Sequence, residues 1–538
     1  MSPFSAPVED ILFSLTHVAR AGELDHYDAE TTGEILTHFA HFAETAIAPT
    51  DEEGDVQGCR LENGRVRMPD SLRAVYAQLA EQGWQGLTAP EEFGGQGMDA
   101  LTLAAVSEVF TGANHSLQMV TGLVPGAIRT LMIHGDNAQR AAYLPKLATG
   151  AWLSTMCLTE PAAGSDLSAL RTRATPAGDG WVIDGEKIFI SGGDQDLSDG
   201  TLHLVLARSG SVDEGVRGLS LYLCPSHLED GTRNSVRVER IEHKMGLHAS
   251  PTCQTVFEGA QAQLIGQAGA GLKAMFTMMN HARLDVALQG VAHAARGADI
   301  SRTYAAERRQ GKGPDGQPVM IADHGDVARM IDEQDAWAIG GRALCHMTMV
   351  ALERGDDPDL VEFLTPVCKA YCTDTGIRAA DLAIQVLGGY GYLNEYRAEQ
   401  NLRDARITAI YEGTNGIHAM ALVTRALRHR DGAAAEAFSR FIERERTDDN
   451  DPTLARVHSL WQEARDHVLQ TQNPAPLADA FMKLTSELAV QAAWSRIARS
   501  ADHHPDPARI RRLATLARRY GQAMAPAYGA LVGSGASG

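Results

Sequence analysis

Across its 538 residues the chain has no run of about 18 or more apolar residues, which excludes a membrane-spanning helix. The N-terminal stretch MSPFSAPVEDILFSL carries Glu9 and Asp10 and lacks a basic segment ahead of an apolar one, so no secretory signal is expected. Cysteines are few, scattered and odd in number: Cys59, Cys157, Cys224, Cys253, Cys345, Cys368 and Cys372. That usage suits a reducing cytoplasm better than a disulfide framework. Cys368 and Cys372 fall on one helix face, but no second pair of ligands matches them, so they are assigned to core packing and no metal site is expected. Positive charge is also short, 48 Lys and Arg against 68 Asp and Glu, and a net charge of −20 argues against a nucleic-acid surface. The one basic stretch, ARIRRLATLARRYG, repeats its arginines at helical spacing and is expected to be a solvated helix face. No GxGxxG opens a helix after a strand and no GxxxxGK[ST] occurs, so neither a Rossmann dinucleotide unit nor a P-loop is supported.

What the chain does have is enough length for several lobes and a globular composition, 44% apolar and 22% charged. From Ile11 to about Gly150 apolar residues recur every three or four positions, as in SLRAVYAQLAEQGW, which predicts helices. Between Trp152 and Ile265 the texture changes to short Val-, Ile- and Leu-rich segments such as WVIDGEKIFIS and GLSLYLCP, several of them alternating. These predict an antiparallel β domain, sandwich or barrel. Helical spacing returns from Gly271 to about His429 and again from Gly432 to about Leu531, after the polar break RTDDNDP, and the tail GSGASG is expected to be disordered. The expected organisation is α+β: an N-terminal helical domain with an extension (1–151), a middle β domain (152–266), a C-terminal helical bundle (267–430) and a further helical tail (431–538).

Two stretches carry chemistry. In RDARITAIYEGTNGIHA, Arg403 to Ala419, the carboxylate of Glu412 sits where an apolar run breaks into Gly-Thr-Asn-Gly. An acid removed from water is costly unless it is paired or neutral, so such a residue is often functional; the plainer alternative is a carboxylate at a helix entry. In MCLTEPAAGSDLSALRTRA, Met156 to Ala174, a strand end runs into Thr, Pro, Gly and Ser-Asp, a loop rich in N–H and hydroxyl donors that suits phosphate, carbonyl oxygens or a heteroaromatic edge, or else forms a tight turn.

Taken together and in order, these segments resemble the acyl-CoA dehydrogenases. The resemblance rests on CLTEPAAGSD (Cys157 to Asp166), DGEKIFISG (Asp184 to Gly192), TAPEEFGGQGM (Thr88 to Met98), HKMGLHAS (His243 to Ser250), ERRQGK (Glu307 to Lys312), QVLGGYGY (Gln385 to Tyr392) and IYEGT (Ile410 to Thr414). It covers roughly residues 30 to 430, and the helical additions at both ends resemble the larger bacterial branch, which includes enzymes acting on 3-(methylthio)propanoyl-CoA.

The resemblance implies an FAD enzyme of fatty-acid β-oxidation, with the cofactor between the β domain and the C-terminal helices. Main-chain groups at Leu158 and Thr159 would meet the pyrimidine edge of the flavin, with Gly164 and Ser165 near the diphosphate and Ser165 also near the substrate's pantetheine. Phe189 would cover one edge of the ring and Ser191 would lie near N5; relatives often carry Trp and Thr there. Arg308, Gln385, Gly388 and Gly389 match positions that reach the FAD of an adjacent subunit, which implies a homodimer or a dimer of dimers. The Thr-Phe pair that often follows this arginine is replaced by the Gln310-bearing run Arg-Gln-Gly-Lys, and Gly416 stands where several relatives carry Gln. Glu412 would be the base that removes the α-proton, Gly413 would leave room for the thioester, Thr414 would meet the cofactor, and Asn280 and Arg283 would bind the CoA end. Electrons would pass to an electron-transfer flavoprotein. An acyl-CoA oxidase, or a flavoprotein of the same fold that is no dehydrogenase, remains the alternative. The stretch HSLQMVTGLVPG, with Met119 and Gly122, is expected to shape the acyl pocket.

Overall fold

The structure, a computed structural model, describes residues 3–447 and 452–534, with the side chains of 278–280, 447 and 534 outside the description. Of the tail expected to be disordered, Gly533 and Ser534 close the last helix, while residues 535–538 and most of the polar break lie outside the described residues. The helices are α1 (Val8–Phe13), α2 (Ala29–Phe42), α3 (Pro49–Gln57), α4 (Asp70–Glu81), α5 (Ala100–Thr121), α6 (Val124–His134), α7 (Asn137–Ala148), α8 (Gly271–Glu307), α9 (Gly325–Arg354), α10 (Pro358–Leu387), α11 (Ala398–Ala405), α12 (Asn415–Ala421), α13 (Ala433–Thr447), α14 (Pro452–Gln470), α15 (Ala478–Ser500) and α16 (Pro507–Ser534). Strands β1 (Arg60–Glu62) and β2 (Arg65–Arg67) form a small hairpin, as do β10 (Arg309–Lys312) and β11 (Pro318–Met320). A seven-stranded sheet holds β3 (Trp152–Cys157), β4 (Arg173–Ala177), β5 (Gly180–Ser191), β6 (Gly200–Arg208), β7 (Leu219–Pro225), β8 (Val236–Ile241) and β9 (Thr252–Ile265). No single helix among the described residues is long and apolar enough to cross a membrane.

Two compact units divide the chain: Thr45–Leu103 with Ala113–Ala282, and Met1–Glu44 with Ala104–Gly112 and Arg283–Gly538. In the first, the order β3-β6-β4-β5-β9-β7 closes through β6–β7 pairing, while β8 adds to β9. Closure leaves the ring β6-β4-β5-β9-β7 without a free edge, while β3 and β8 are each paired on one side only. Inside lie Ile183, Val205, Tyr222, Phe257 and their neighbours, all essentially without exposed surface. β6 is buried at every position, so the alternation expected of a strand with one wet face is missing there. Two departures from expectation occur in this unit. The predicted antiparallel domain includes a parallel ladder, β3 on β6, made possible because the β4–β5 hairpin serves as the crossover between them. And the predicted all-helical N-terminal region contains the β1–β2 hairpin, turned at Asn63 and Gly64, both with positive φ, and held by Asp194, which accepts from the Val66 N–H at 2.9 Å and pairs with Arg65.

In the second unit α9, α10, α13, α15 and α16 pack on one another. Cys345, Cys368 and Cys372 are buried together there, with Cys345 and Cys372 Sγ atoms 3.6 Å apart, which is core packing. The basic stretch in α16 is not simply a wet face. Arg509 is mostly buried and bridges Asp10 of the N-terminal extension and Asp335 of α9, while Arg511 and Arg512 are exposed and pair with Asp502 and Asp332. A second buried pair, Arg342 with Glu108, is bidentate. Tail and N-terminal extension are thus joined by charge: His504 of the tail also reaches Asp10 at 2.9 Å, and His17 stacks on His503 with ring centroids 4.4 Å apart.

Candidate active site

In the sheet unit, β3 ends at Cys157 and the chain turns through Leu158, Thr159 and Glu160. Glu160 is buried and accepts from the N–H groups of Arg171 (2.7 Å) and Thr172 (3.0 Å) and from Lys187 Nζ (2.9 Å). Lys187, with no exposed surface, also donates to the Leu158 carbonyl at 2.9 Å, and the Thr159 carbonyl accepts from Ile188 N–H at 2.9 Å. Both carbonyls at this strand end are therefore turned inward. What Leu158 and Thr159 can offer an outside ring edge is amide N–H and the Thr159 hydroxyl. Lys187 outweighs the effect of burial and holds the Glu160 carboxyl below the usual carboxylate range. Gly164 and Ser165 follow on an exposed loop, closed at its base by the Glu160–Ala163 bridge.

β5 carries the next candidates. Its pairing with β9 slips between Lys187 and Ile190, and within that bulge Phe189 adopts a left-handed φ of +59° and is 61% exposed. This leaves a large aromatic face open to solvent on a strained bulge. Ser191, half-buried, ends the strand opposite Thr252.

In the helical unit, Arg308 follows α8 and stands with its guanidinium 5.6 Å over the ring of Tyr390. Arg308, Gly388, Gly389 and Tyr390 line one pocket of about 420 Å³; Gln385 is exposed one turn earlier on α10 and is not among its walls. Gly388 has φ +62°, and a Cβ on Gly389 would meet nothing within 4 Å, so this backbone lies open to close approach.

The Tyr411–Asn415 loop is the most constrained feature. Glu412 has φ +53° and Gly413 φ +90°, two consecutive left-handed residues. The Glu412 carbonyl lies 3.1 Å from His418 Nε2, and the Tyr411 hydroxyl donates to Gln289 Oε1. A Cβ on Gly413 would come within 2.9 Å of the His418 ring, so glycine is required locally, whatever lies outside. Thr414 is the N-cap of α12, its hydroxyl oxygen accepting from Ile417 N–H at 3.2 Å. The helix entry in this stretch is thus made by Thr414, two residues beyond Glu412. Glu412 itself is half-buried, but its Oε2 is fully buried and has no hydrogen-bond partner among the described residues. Burial pushes its carboxyl up, and Arg283, then Lys369, pull it partly back. Arg283 lies half-buried on α8; Asn280 lies on the same helix with its side chain outside the described residues. Gly122 caps α5 beside Gln118, whose carbonyl and side-chain amide lie within 2.8 Å of where a Cβ would stand.

Glu160, Lys187, His418 and Lys369 were not singled out from the sequence. Each reads there as an ordinary polar residue, and only burial reveals it.

Family models match in three consecutive pieces: the acyl-CoA dehydrogenase N-terminal domain over 29–151, the middle domain over 155–260 and the C-terminal domain over 269–427. The 3-methylmercaptopropionyl-CoA dehydrogenase of Ruegeria pomeroyi is 38% identical across 93% of this chain and 92% of its own. The broad-specificity linear acyl-CoA dehydrogenase FadE5 of Mycobacterium tuberculosis is 33% identical across 81% and 77%. Among solved structures, Caenorhabditis elegans ACDH-11 in complex with C11-CoA superposes with a TM-score of 0.81 over 97% of this chain and 91% of its own at 20% identity, a likeness of fold.

Proposed function

Since the chain belongs to the acyl-CoA dehydrogenase family and is an acyl-CoA dehydrogenase, we propose that it converts an acyl-CoA thioester to the trans-2-enoyl-CoA with Glu412 as the base and FAD as the electron acceptor. The observation that carries this reading is the buried, partnerless Oε2 of Glu412 in a strained loop. A carboxylate held that way, with its pKa raised by burial, is a stronger base than one in water and has a vacant lone pair for a carbon-bound proton.

The donors on this chain fit a flavin dinucleotide. Phe189 offers an exposed flat cover and Ser191 a hydroxyl beside it, while Leu158 and Thr159 offer N–H groups to a ring edge. Gly164 and Ser165, on their exposed loop, suit a diphosphate. Arg308, with Gly388 and Gly389 in its pocket and Gln385 nearby, suits the phosphate and adenosine portions of a second cofactor, which makes a homodimer or dimer of dimers the working assembly. When bound, FAD supplies the acceptor for the hydride leaving the β-carbon. Glu412 takes the α-proton, and its own N–H stabilises the thioester oxygen as charge develops, a contribution of about 2.7–4 kcal/mol for one such donor. Gly413 would leave room for the thioester, Thr414 would meet the cofactor, and Arg283 with Asn280 would bind the CoA end. Electrons then leave to an electron-transfer flavoprotein. Given the Ruegeria pomeroyi relative's name, 3-(methylthio)propanoyl-CoA is the first substrate to offer, with straight-chain acyl-CoAs beside it.

The test is product identification. FAD-loaded protein is incubated with each thioester and an artificial electron acceptor, and the CoA products are weighed by mass spectrometry. Loss of two hydrogens supports the reading; unchanged thioester with all of them overturns it. Hydrogen peroxide formed in step with enoyl-CoA, without added acceptor, would make the protein an oxidase.

A further inference from the structure

Behind the loop that carries Glu412 lies a lysine with no exposed surface. Lys369, on α10, donates from Nζ to the Gly413 carbonyl at 2.8 Å and to Asn415 Oδ1 at 2.9 Å. Both acceptors are neutral, which is an unusual solution for a buried ammonium. Its counter-charge arrives indirectly: Asn415 Nδ2 donates to Asp374 Oδ1 at 2.8 Å and to Thr373 Oγ1 at 3.0 Å, so one asparagine side chain connects the ammonium to a carboxylate on the same helix.

The contacts act on the strained part of the loop. The carbonyl of Glu412 is turned to His418 and that of Gly413 to Lys369. Because the peptide is planar and trans, the N–H groups that follow those carbonyls point the opposite way. A left-handed conformation is costly for a residue with a side chain such as Glu412 and persists only where the surroundings over-determine it. Lys369 and His418 are those surroundings.

Resting on the assignment of Glu412 as base, we propose that Lys369 is a positioning residue for the reaction: its ammonium fixes the Gly413 carbonyl and Asn415, and so holds Glu412 in the backbone conformation from which its carboxylate reaches the α-proton. Burial brings the Lys369 amine down to about 8, opposed by Asp374 and then Glu412 and assisted by Arg283. The charged and titratable groups around it are Asp374 on α10, Arg283 and Asp285 on α8, Glu412 in the loop and His418 on α12, with Asp479 and Lys483 of α15 acting through Asp374. The signs follow. Below about 8 the group is an ammonium and anchors the loop; above it the charge is lost, and flavin reduction should fall along an alkaline limb. Removing the cation should also leave Glu412 a weaker acid and move the acid limb upward.

The experiment is anaerobic rapid-mixing flavin reduction by an accepted acyl-CoA, across pH, for wild type, Lys369→Met, Lys369→Arg and Asp374→Asn, each first checked for FAD content. For Lys369→Met the expected result is a fall of about 100-fold in the limiting reduction rate, the cost of a misplacement near 1 Å, with thioester affinity changed less than about threefold. Its acid limb moves up and its alkaline limb disappears. Lys369→Arg restores part of the rate without an alkaline limb near 8. Asp374→Asn, a change on an exposed residue, moves the alkaline limb to lower pH because it removes the charge that supports the ammonium. Wild-type limbs in Lys369→Met and Asp374→Asn, or a loss confined to thioester affinity, would overturn the inference. Glu412→Gln in the same series separates the two levels: if it stays active, the base assignment itself fails; if it is inactive while the lysine variants keep wild-type limbs, only the role of Lys369 fails.

Discussion

Replacing Glu160 with glutamine should loosen the strand end proposed to face the flavin, and the structure sets the size of the effect. The carboxylate receives three donors, Arg171 N–H, Thr172 N–H and Lys187 Nζ, at 2.7 to 3.0 Å, and both partners of the ion pair are buried. Glutamine keeps one oxygen but turns an NH₂ toward a donor, and it leaves the Lys187 ammonium without a counter-charge. Breaking one side of a buried pair typically costs about 3–5 kcal/mol, against the near-zero cost of losing a surface pair. Lys187 also holds the Leu158 carbonyl, so the loss should be felt locally in β3 and β5. Native-state hydrogen exchange of amides in Trp152–Cys157 and Gly180–Ser191 reads that local free energy, with FAD retention measured beside it. The Glu160 carboxyl is held below its ordinary value, so its stabilisation is complete above the unfolded carboxylate range and is lost as pH falls through the folded value. The gap between wild type and Glu160→Gln should therefore close in acid. Protection within about 1 kcal/mol of wild type at neutral pH, with FAD retained equally, would refute the reasoning.

Glu412→Gln should lower the rate of flavin reduction by about 10²–10⁴-fold while leaving FAD content unchanged, checked by rapid mixing with an accepted thioester. Because burial pushes the Glu412 carboxyl up, the wild-type rate should rise with pH along a limb above the ordinary carboxylate range, and the variant should lack that limb. Phe189→Gly should leave the stability of the apoprotein nearly unchanged, since relief of a positive φ and the added chain entropy of glycine, each about 1 kcal/mol, oppose one another. The same variant should release FAD at least about tenfold faster in dilution experiments, a loss of one aromatic contact of about 1.4 kcal/mol. Asp10→Asn should free the N-terminal extension from α16, at a cost of about 1.5–3 kcal/mol for a charged hydrogen bond, seen as faster proteolysis within residues 3–24. His504 and the Arg509 and Arg342 charges overcome burial and hold the Asp10 carboxyl well below the usual range, so wild type should approach the variant only in strong acid.

The sheet unit was legible because period-two alternation and turn residues are local signals, and β5 and β7 declare themselves that way. The β3–β6 parallel ladder was not, since it pairs segments separated by a whole hairpin and such a pairing leaves no local mark in the sequence. Three-residue strands such as β1 and β2 carry too little pattern to interrupt a helical reading. In the candidate site, Glu412 stood out because a carboxylate interrupts apolar sequence next to glycine, and the family motifs added Phe189 and Arg308. Lys369, Lys187 and Glu160 were illegible for the opposite reason: one buried charge among 116 Asp, Glu, Lys and Arg residues looks like any other until its partner, tens of residues away, is known. The same holds for Arg509, which helical spacing assigns to water and the fold assigns to Asp10, 499 residues distant.

The most direct test of the central claim is an anaerobic titration of the FAD-loaded protein with 3-(methylthio)propanoyl-CoA and with straight-chain acyl-CoAs, following the visible flavin band. Bleaching by at least one thioester, abolished in Glu412→Gln with its FAD in place, is the predicted result. A flavin that stays oxidised with every thioester, or one that bleaches equally in Glu412→Gln, would contradict the account.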